Sequence, residues 1–347
     1  MAENSNIEWT HHTFNPWMGC TKVTAGCKHC YAEAMMDTRL GKVQWGPQGT
    51  RVVTSRANWQ LLLKWDRAAA KAGEKHRVFC ASLADVFEDN RVVVDPDGLF
   101  NDLDSVRQAL WILIESTPNL IWLLLTKRPE NIRGMVPPSW LERWPENVWT
   151  GTSPCDQETA DLLVPRLLEV PGQHFLSCEP LLGAVDFNRF FGLQPGKVWA
   201  DCLCDEIDPS DKPCLVCECK KSMNPIDWVI CGGESGPGAR PMHPDWARGL
   251  RDQCVAAGVP FFFKQWGEFA PFDPERELPM RVNDFIDLLE KKGGGRYNAA
   301  EAWCPGNLIC EPGGITLLRK GKKAAGRMLD GVEHNELPAA FGVEAAV

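Results

Sequence analysis

The sequence predicts an α/β fold: a partial (β/α) barrel carrying a Cys-rich insertion and a C-terminal extension. Three observations predict it. Apolar, β-rich runs alternate with helix-patterned segments, the order of βα units around a parallel sheet. Several runs are apolar almost without interruption, which suits parallel strands covered on both faces. Nearly every run also ends in acids, bases or hydroxyls, and βα barrels build their sites from the loops at the C-terminal ends of their strands.

In chain order, a short strand is expected near Thr13–Trp17, before a cysteine loop. Further strands are expected at His76–Ser82, Leu120–Lys127, Val148–Ser153, His174–Pro180, Asp227–Gly232 and Pro260–Trp266. A helix over Arg56–Ala72 sets Trp59, Leu62, Leu63 and Ala70 at helical spacing, with Asp66 inside the stripe. A second over Asn101–Thr117 carries Val106, Leu110, Leu113 and Ile114 and stops at Pro118. A third over Asp245–Ala257 carries Trp246, Leu250, Cys254 and Ala257, with Gly258 as its C′ residue.

Two segments interrupt the alternation. Residues 199–222 are acidic and Cys-rich and lie between two strands, as an insertion would. From about residue 271 onward a helical stretch, a GGG run, Cys304 and Cys310 suggest a C-terminal extension, so the barrel is expected over 1–270 and the extension over 271–347.

With 44% hydrophobic residues the chain has ample core material. No run of about 18 apolar residues predicts a membrane span. The first residues lack a secretory pattern, and fifteen cysteines without export features point to a reducing cytoplasm, where clustered thiols hold metal more often than disulfides. The formal net charge of −9 excludes a generic duplex-coating protein, while leaving room for a local basic channel.

Cys20, Cys27 and Cys30 form C-x6-C-x2-C, followed at once by Tyr31. Three thiolates can hold three irons of a 4Fe–4S cluster and leave the fourth iron open, the arrangement by which a cluster binds and cleaves S-adenosylmethionine. A structural cluster takes four cysteines and a structural zinc site four ligands. Zinc completed by His29, His11 or His12, and free thiols, are the other readings.

At the other expected strand ends stand Ser82 and Asp85, Lys127 and Arg128, Glu179, Gly232 to Ser235, and Lys264 to Trp266. Gly232 and Gly233 let backbone approach a ligand, and Glu234 and Glu179 can accept from an ammonium or a hydroxyl. Lys127, Arg128, Arg240 and Lys264, with Gln265 and Trp266, supply cations beside an aromatic ring, as a pocket for a phosphate and a stacked base requires, and the cations would equally serve the carboxylate of methionine. Arg319, Lys320, Lys322, Lys323 and Arg327 form a basic run near the C-terminus. Cys202, Cys204, Cys214, Cys217 and Cys219 suit a zinc knob that folds an acidic loop, or an auxiliary iron–sulfur cluster. Cys80, Cys178, Cys231 and Cys254 lie in apolar runs and read as small buried hydrophobes.

The strings FNPWMGCTKVTAGCKHCYAE, LLLTKRPENI, FLSCEPLLG, DWVICGGESGPGARPMHPDWARGLRDQC, PFFFKQWGE and GKKAAGRMLDG resemble the phage gene-product 37/68 proteins, a radical-SAM-like family, over nearly the whole chain. The resemblance implies a barrel of radical-SAM type with an S-adenosylmethionine-coupled cluster at its mouth. The general radical-SAM spacing is C-x3-C-x2-C; the wider first gap here matches the resembled family. Cys20, Cys27 and Cys30 would then ligate iron, His29 would stand where an aromatic often faces the adenine, and Tyr31 would pack by the cluster. An electron would come from a reductant protein such as a flavodoxin or ferredoxin. The expected substrate is a nucleic-acid base or nucleotide, with a protein side chain or small metabolite as the alternative. A metal-stapled binding module without catalysis is the rival from another class.

Overall fold

In a computed structural model, the structure describes residues 3–90, 93–191, 226–272, 295–297, 303–305 and 315–342. Seven parallel strands form one curled sheet, an open half-barrel, and pair strictly in chain order. They are β1 His12–Phe14, β2 His76–Cys80, β3 Leu120–Thr126, β4 Val148–Thr152, β5 Gln173–Cys178, β6 Trp228–Gly232 and β7 Phe261–Gln265. Sequential pairing is the order of a barrel; a doubly wound sheet reverses its strand order at a switch point. Each expected strand segment contributes to this sheet, but the first is shorter than the sequence suggests. Asn15 and Pro16 end it, and Trp17–Met18 pairs instead with Arg51–Val53 in a small separate sheet.

Side-chain alternation along the strands builds two apolar layers. Trp122 and Leu124 of β3, Val229 and Cys231 of β6 and Phe261 and Phe263 of β7 face the helices. Ile121 and Leu123, Trp228 and Ile230, and Phe262 face the hollow of the half-barrel. Both faces of the sheet are therefore covered, which explains the continuous apolar runs.

Four helices dress the outer face: α1 Arg56–Ala72, α2 Leu103–Glu115, α3 Gln157–Leu168 and α4 Pro244–Ala257. Helix α1 buries Leu62, Trp65 and Ala69, while Leu63 is exposed; Asp66 leaves the stripe and accepts from the Asn119 backbone N–H at 2.8 Å. Asp102 caps α2 by accepting from the Ser105 N–H at 2.7 Å. Gly258 ends α4 in the left-handed region at φ 68°, as a C′ glycine does. Helix α3 is an addition to the sequence reading. A capping box of Asp156 and Thr159 starts it, and its buried face of Ala160, Leu163, Val164, Leu167 and Leu168 keeps helical spacing across Pro165, a residue that argues against a helix in sequence.

The C-terminal segment belongs to the barrel as much as to an extension. Strand Phe269–Pro271, straddling the expected boundary at 270, joins Ile315–Arg319, Gly295–Tyr297 and Trp303–Pro305 in an antiparallel sheet. The chain then returns along the edge strand β7: Phe263 N–H donates to the His334 carbonyl at 2.9 Å and Glu336 N–H to the Phe261 carbonyl at 3.3 Å. A covered edge cannot recruit another strand. Phe341 enters the hollow, its ring 4.7 Å from Trp149 and 5.4 Å from Trp228.

Among the described residues no helix is long and apolar enough to cross a membrane. The Cys-rich insertion with Cys202, Cys204, Cys214, Cys217 and Cys219, the helical stretch of the extension and Cys310 lie outside the described residues. Cys80, Cys178, Cys231 and Cys254 are fully buried in the apolar layer under the helices, as their sequence context predicts.

Candidate functional site

The C-terminal ends of the strands carry the cysteine loop. The loop leaves the Trp17–Met18 strand through Gly19, whose φ of 108° and position, with an added Cβ 2.3 Å from the Thr50 carbonyl, admit no side chain. Asn15, fully buried, ties the loop's start to the end of β2. It accepts from the Leu83 N–H at 2.6 Å and donates to Ser82 Oγ at 3.1 Å. The Tyr31 hydroxyl reaches over to the Ser82 carbonyl at 2.6 Å.

Beneath the loop lies a buried network of two cations and two anions. Arg51, with no exposed surface, forks onto Glu88, Nε and Nη2 each donating at 2.7 Å, and Nη2 also reaches Thr21 Oγ1 at 2.8 Å. Arg128 donates from Nη1 to Asp85 at 2.9 Å and to Cys20 Sγ at 3.8 Å, and from Nη2 to the Thr21 carbonyl at 2.8 Å and to Glu88 at 3.3 Å. Asp85 further accepts from Thr126 Oγ1 at 2.7 Å and from the Lys127 N–H at 3.1 Å. Asp85 and Arg128, expected to meet cofactor and substrate, are thus engaged in joining the ends of β2 and β3 to the cysteine loop. Buried charges are tolerable here because each finds partners.

The three thiols experience different fields. Burial, with Asp85 and Glu88, pushes Cys20 up to about 12 against the pull of Arg128. Burial would raise Cys27 too, but the Lys127 ammonium and the Val23 and Thr24 backbone outweigh it, so that thiol is held below its ordinary value. Burial raises Cys30, with Lys127 acting the other way. Among the described residues no three His, Cys, Asp or Glu side chains gather as a metal-binding group. Cys20 meets the Arg128 network, whereas the Lys127 charge acts on Cys27 and Cys30. The donor set fits a cluster in kind: three thiols free of disulfides on one loop, with cations to balance an anionic centre.

The GGESG turn closes the other side. Gly233 lies against the Trp266 carbonyl, 1.9 Å from where a Cβ would stand, and Gly232 against Glu179 Oε1, 2.8 Å from its own. Glu234 is buried and bidentate with Arg240, whose Nε donates at 2.8 Å and Nη2 at 2.6 Å. Arg240 Nη1 then donates to the Ala25 carbonyl at 3.0 Å, joining this turn to the cysteine loop. His29 packs on Gly238, its ring 3.0 Å from an added Cβ there. Ser235 is half-buried on the same turn.

Within the mouth, Glu179 accepts from Lys264 Nζ at 2.9 Å and from Ser177 Oγ at 3.1 Å. Trp266 is a core residue and offers no stacking platform: it is buried edge-on to Phe263, and its indole N–H donates to the Met328 carbonyl at 2.8 Å. Gln265 is likewise buried and turns toward the Gly233 carbonyl. Lys322 and Lys323 are exposed, and Arg319 reaches the Gly236 carbonyl at 3.5 Å, which sets the basic run beside the GGESG turn.

Sequence reasoning missed Arg51, Glu88, Asn15, Ser177 and Cys155. Cys155 is buried below the loop, its Sγ 3.6 Å from an added Cβ on Gly26. Arg51 and Glu88 stand 37 positions apart, and nothing local marks them as a pair. Asn15 directly before Pro16 was the one legible signal, since Asn-Pro marks a turn.

No curated protein and no solved structure matches the chain. The model of one family, described as a protein of unknown function (DUF5131), matches residues 4–338, and the chain belongs to that family.

Proposed function

We propose that this protein is an iron–sulfur enzyme of radical-SAM type whose substrate is a nucleic-acid base or nucleotide admitted at the barrel mouth. The observation that carries the reading is the seat of Cys20, Cys27 and Cys30: one loop at the C-terminal rim of a parallel half-barrel, held from both sides by Arg128 and Arg240. These three residues would hold a 4Fe–4S cluster. Bound there, it would supply an open iron for S-adenosylmethionine and the electron that cleaves a carbon–sulfur bond to a 5′-deoxyadenosyl radical.

The chain's own residues have separate tasks. Lys127, whose charge acts on Cys27 and Cys30, lowers the cost of negative charge at the loop. Glu179 and Lys264 present opposite charges inside the mouth, suited to the ammonium and carboxylate of a methionine moiety. The exposed Lys322 and Lys323 beside the GGESG turn favour an approaching phosphate backbone in a chain that is acidic overall. Trp9 and Phe341 pack into the hollow from the opposite end, which leaves the rim as the side for a substrate in this reading.

Anaerobic purification and reconstitution, followed by dithionite and S-adenosylmethionine, tests the reading. Iron and sulfide at cluster stoichiometry together with 5′-deoxyadenosine are expected, and both are lost in Cys27→Ala. Zinc bound at the three cysteines, or a cluster inert to S-adenosylmethionine, sinks the enzyme and leaves a metal-stapled binding module.

A further inference from the structure

Two buried arginines, Arg128 and Arg51, anchor the cysteine loop from below, and of the two Arg128 reaches a thiol. Arg128 is buried, and its guanidinium makes four contacts in two directions. Asp85 at 2.9 Å and Glu88 at 3.3 Å hold it from the barrel side. On the loop side it donates to Cys20 Sγ at 3.8 Å and to the Thr21 carbonyl at 2.8 Å. Arg51 completes the frame, holding Glu88 by a two-pronged fork and Thr21 through its hydroxyl. The planar fork of arginine can serve a carboxylate, a carbonyl and a sulfur at once; an ammonium lacks the geometry.

We propose that Arg128 is a positioning residue for the Cys20 ligand, fixing the first thiol of the loop and setting the reduction potential of a cluster bound there. The second half rests on the iron–sulfur reading above; the first half does not. The physical reason is charge. A cationic donor at a ligand sulfur stabilises the reduced, more negative cluster, and hydrogen bonds to sulfur are a principal control of cluster potential. Asp85 and Glu88 keep that cation in place and offset its charge, so the effect stays local to Cys20. Among the described residues Arg128 is the cation hydrogen-bonded to Cys20, whereas the Lys127 charge acts on Cys27 and Cys30.

Two measurements on the full chain test the two halves. In the metal-free protein, hydrogen exchange is followed in the peptide covering residues 19–28. Arg128→Gln is expected to speed exchange there at least tenfold, with Arg128→Lys between it and the wild type and exchange in β5 and β6 unchanged. Equal loop exchange in all three proteins overturns the positioning role. Should Arg128→Gln fail to fold, the same comparison between Arg128→Lys and wild type decides. In reconstituted protein, an EPR-monitored titration is expected to give a more negative midpoint for Arg128→Lys than for wild type at equal iron content. An unchanged midpoint overturns the tuning role. A wild type that binds no iron removes the iron–sulfur reading, and with it the tuning half, while the exchange result still decides what Arg128 does to the loop.

Discussion

Lys264 Nζ stands 2.9 Å from Glu179 Oε1 at the mouth of the half-barrel, and both side chains are largely withdrawn from solvent. The two residues come from different strand ends, β5 and β7, with β6 between them, and Gly232 of β6 is the reason they can meet. A side chain there would stand 2.8 Å from the carboxylate.

Breaking this pair leaves a partly buried charge. Glu179→Gln or Lys264→Met alone is expected to cost about 2–3 kcal/mol, less than the loss at a fully buried pair because some solvent reaches both groups. The double variant is expected to recover at least half of that. A double-mutant cycle by chemical denaturation checks it, and strict additivity would show that the pair is not coupled.

The turn behind this pair has no room for a methyl group. At Gly267, φ is 86° and an added Cβ would stand 2.1 Å from the Glu234 carbonyl. Gly267→Ala is expected to lower stability by more than about 2 kcal/mol through strain and displacement of the GGESG turn. Equal melting of variant and wild type would refute it.

Histidines at the opposite end make the fold acid-sensitive. His12 is buried, stacked on Trp65 at 4.2 Å and 3.2 Å from His76 through Nε2, and accepts from the Asn4 N–H. Burial, helped by His76 and opposed by Glu3, lowers it to about 4, and burial together with Arg77, His76 and His12 lowers His11 to about 4. A folded-state value below the unfolded 6.5 means the unfolded chain binds more protons, so stability rises with pH through this window. Stability is therefore expected to fall as pH drops from about 6.5 toward 4, by on the order of 2 kcal/mol for His12. Denaturant titrations at several pH values check the slope, and His12→Gln should flatten it.

The thiols should sort by their surroundings. In metal-free protein near neutral pH, iodoacetamide is expected to label Cys27 well ahead of Cys20, because Lys127 favours the Cys27 thiolate while burial and two carboxylates disfavour that of Cys20. Peptide mass spectrometry over time gives the order, and faster labelling of Cys20 contradicts it.

Phe341 closes the hollow against Trp149 and Trp228. Phe341→Ala is expected to cost about 3–4 kcal/mol, the usual penalty for a cavity where a buried aromatic was. A loss below about 1 kcal/mol would mean that the plug is dispensable.

The strands and the rim were legible because their signals are local. A parallel strand covered on both faces must be apolar throughout, and β3, with Ile121 and Leu123 inward and Trp122 and Leu124 outward, needs no distant partner to be recognised. Helix α3 escaped because Pro165 reads as a helix breaker, although its apolar period is intact and Asp156 and Thr159 announce its start. Trp266 illustrates the opposite error. A tryptophan beside Lys264 at a strand end resembles a stacking platform, yet the returning C-terminal segment supplies the Met328 carbonyl that draws it into the core.

By itself the sequence determined the order of strands and helices, the three thiols on one loop and the strand ends that line a rim, since hydrophobic period and motif spacing depend on neighbours along the chain. Only the tertiary structure decided what those residues do to one another. It engaged Asp85 and Arg128 with Glu88 and Arg51 beneath the loop, paired Glu234 with Arg240, and set Lys264 on Glu179. Charge pairing acts across space: Glu234 and Arg240 are near in the chain, but Arg51 and Glu88 are 37 positions apart and the other pairs are further still, and a buried charge settles wherever the fold brings a partner within reach.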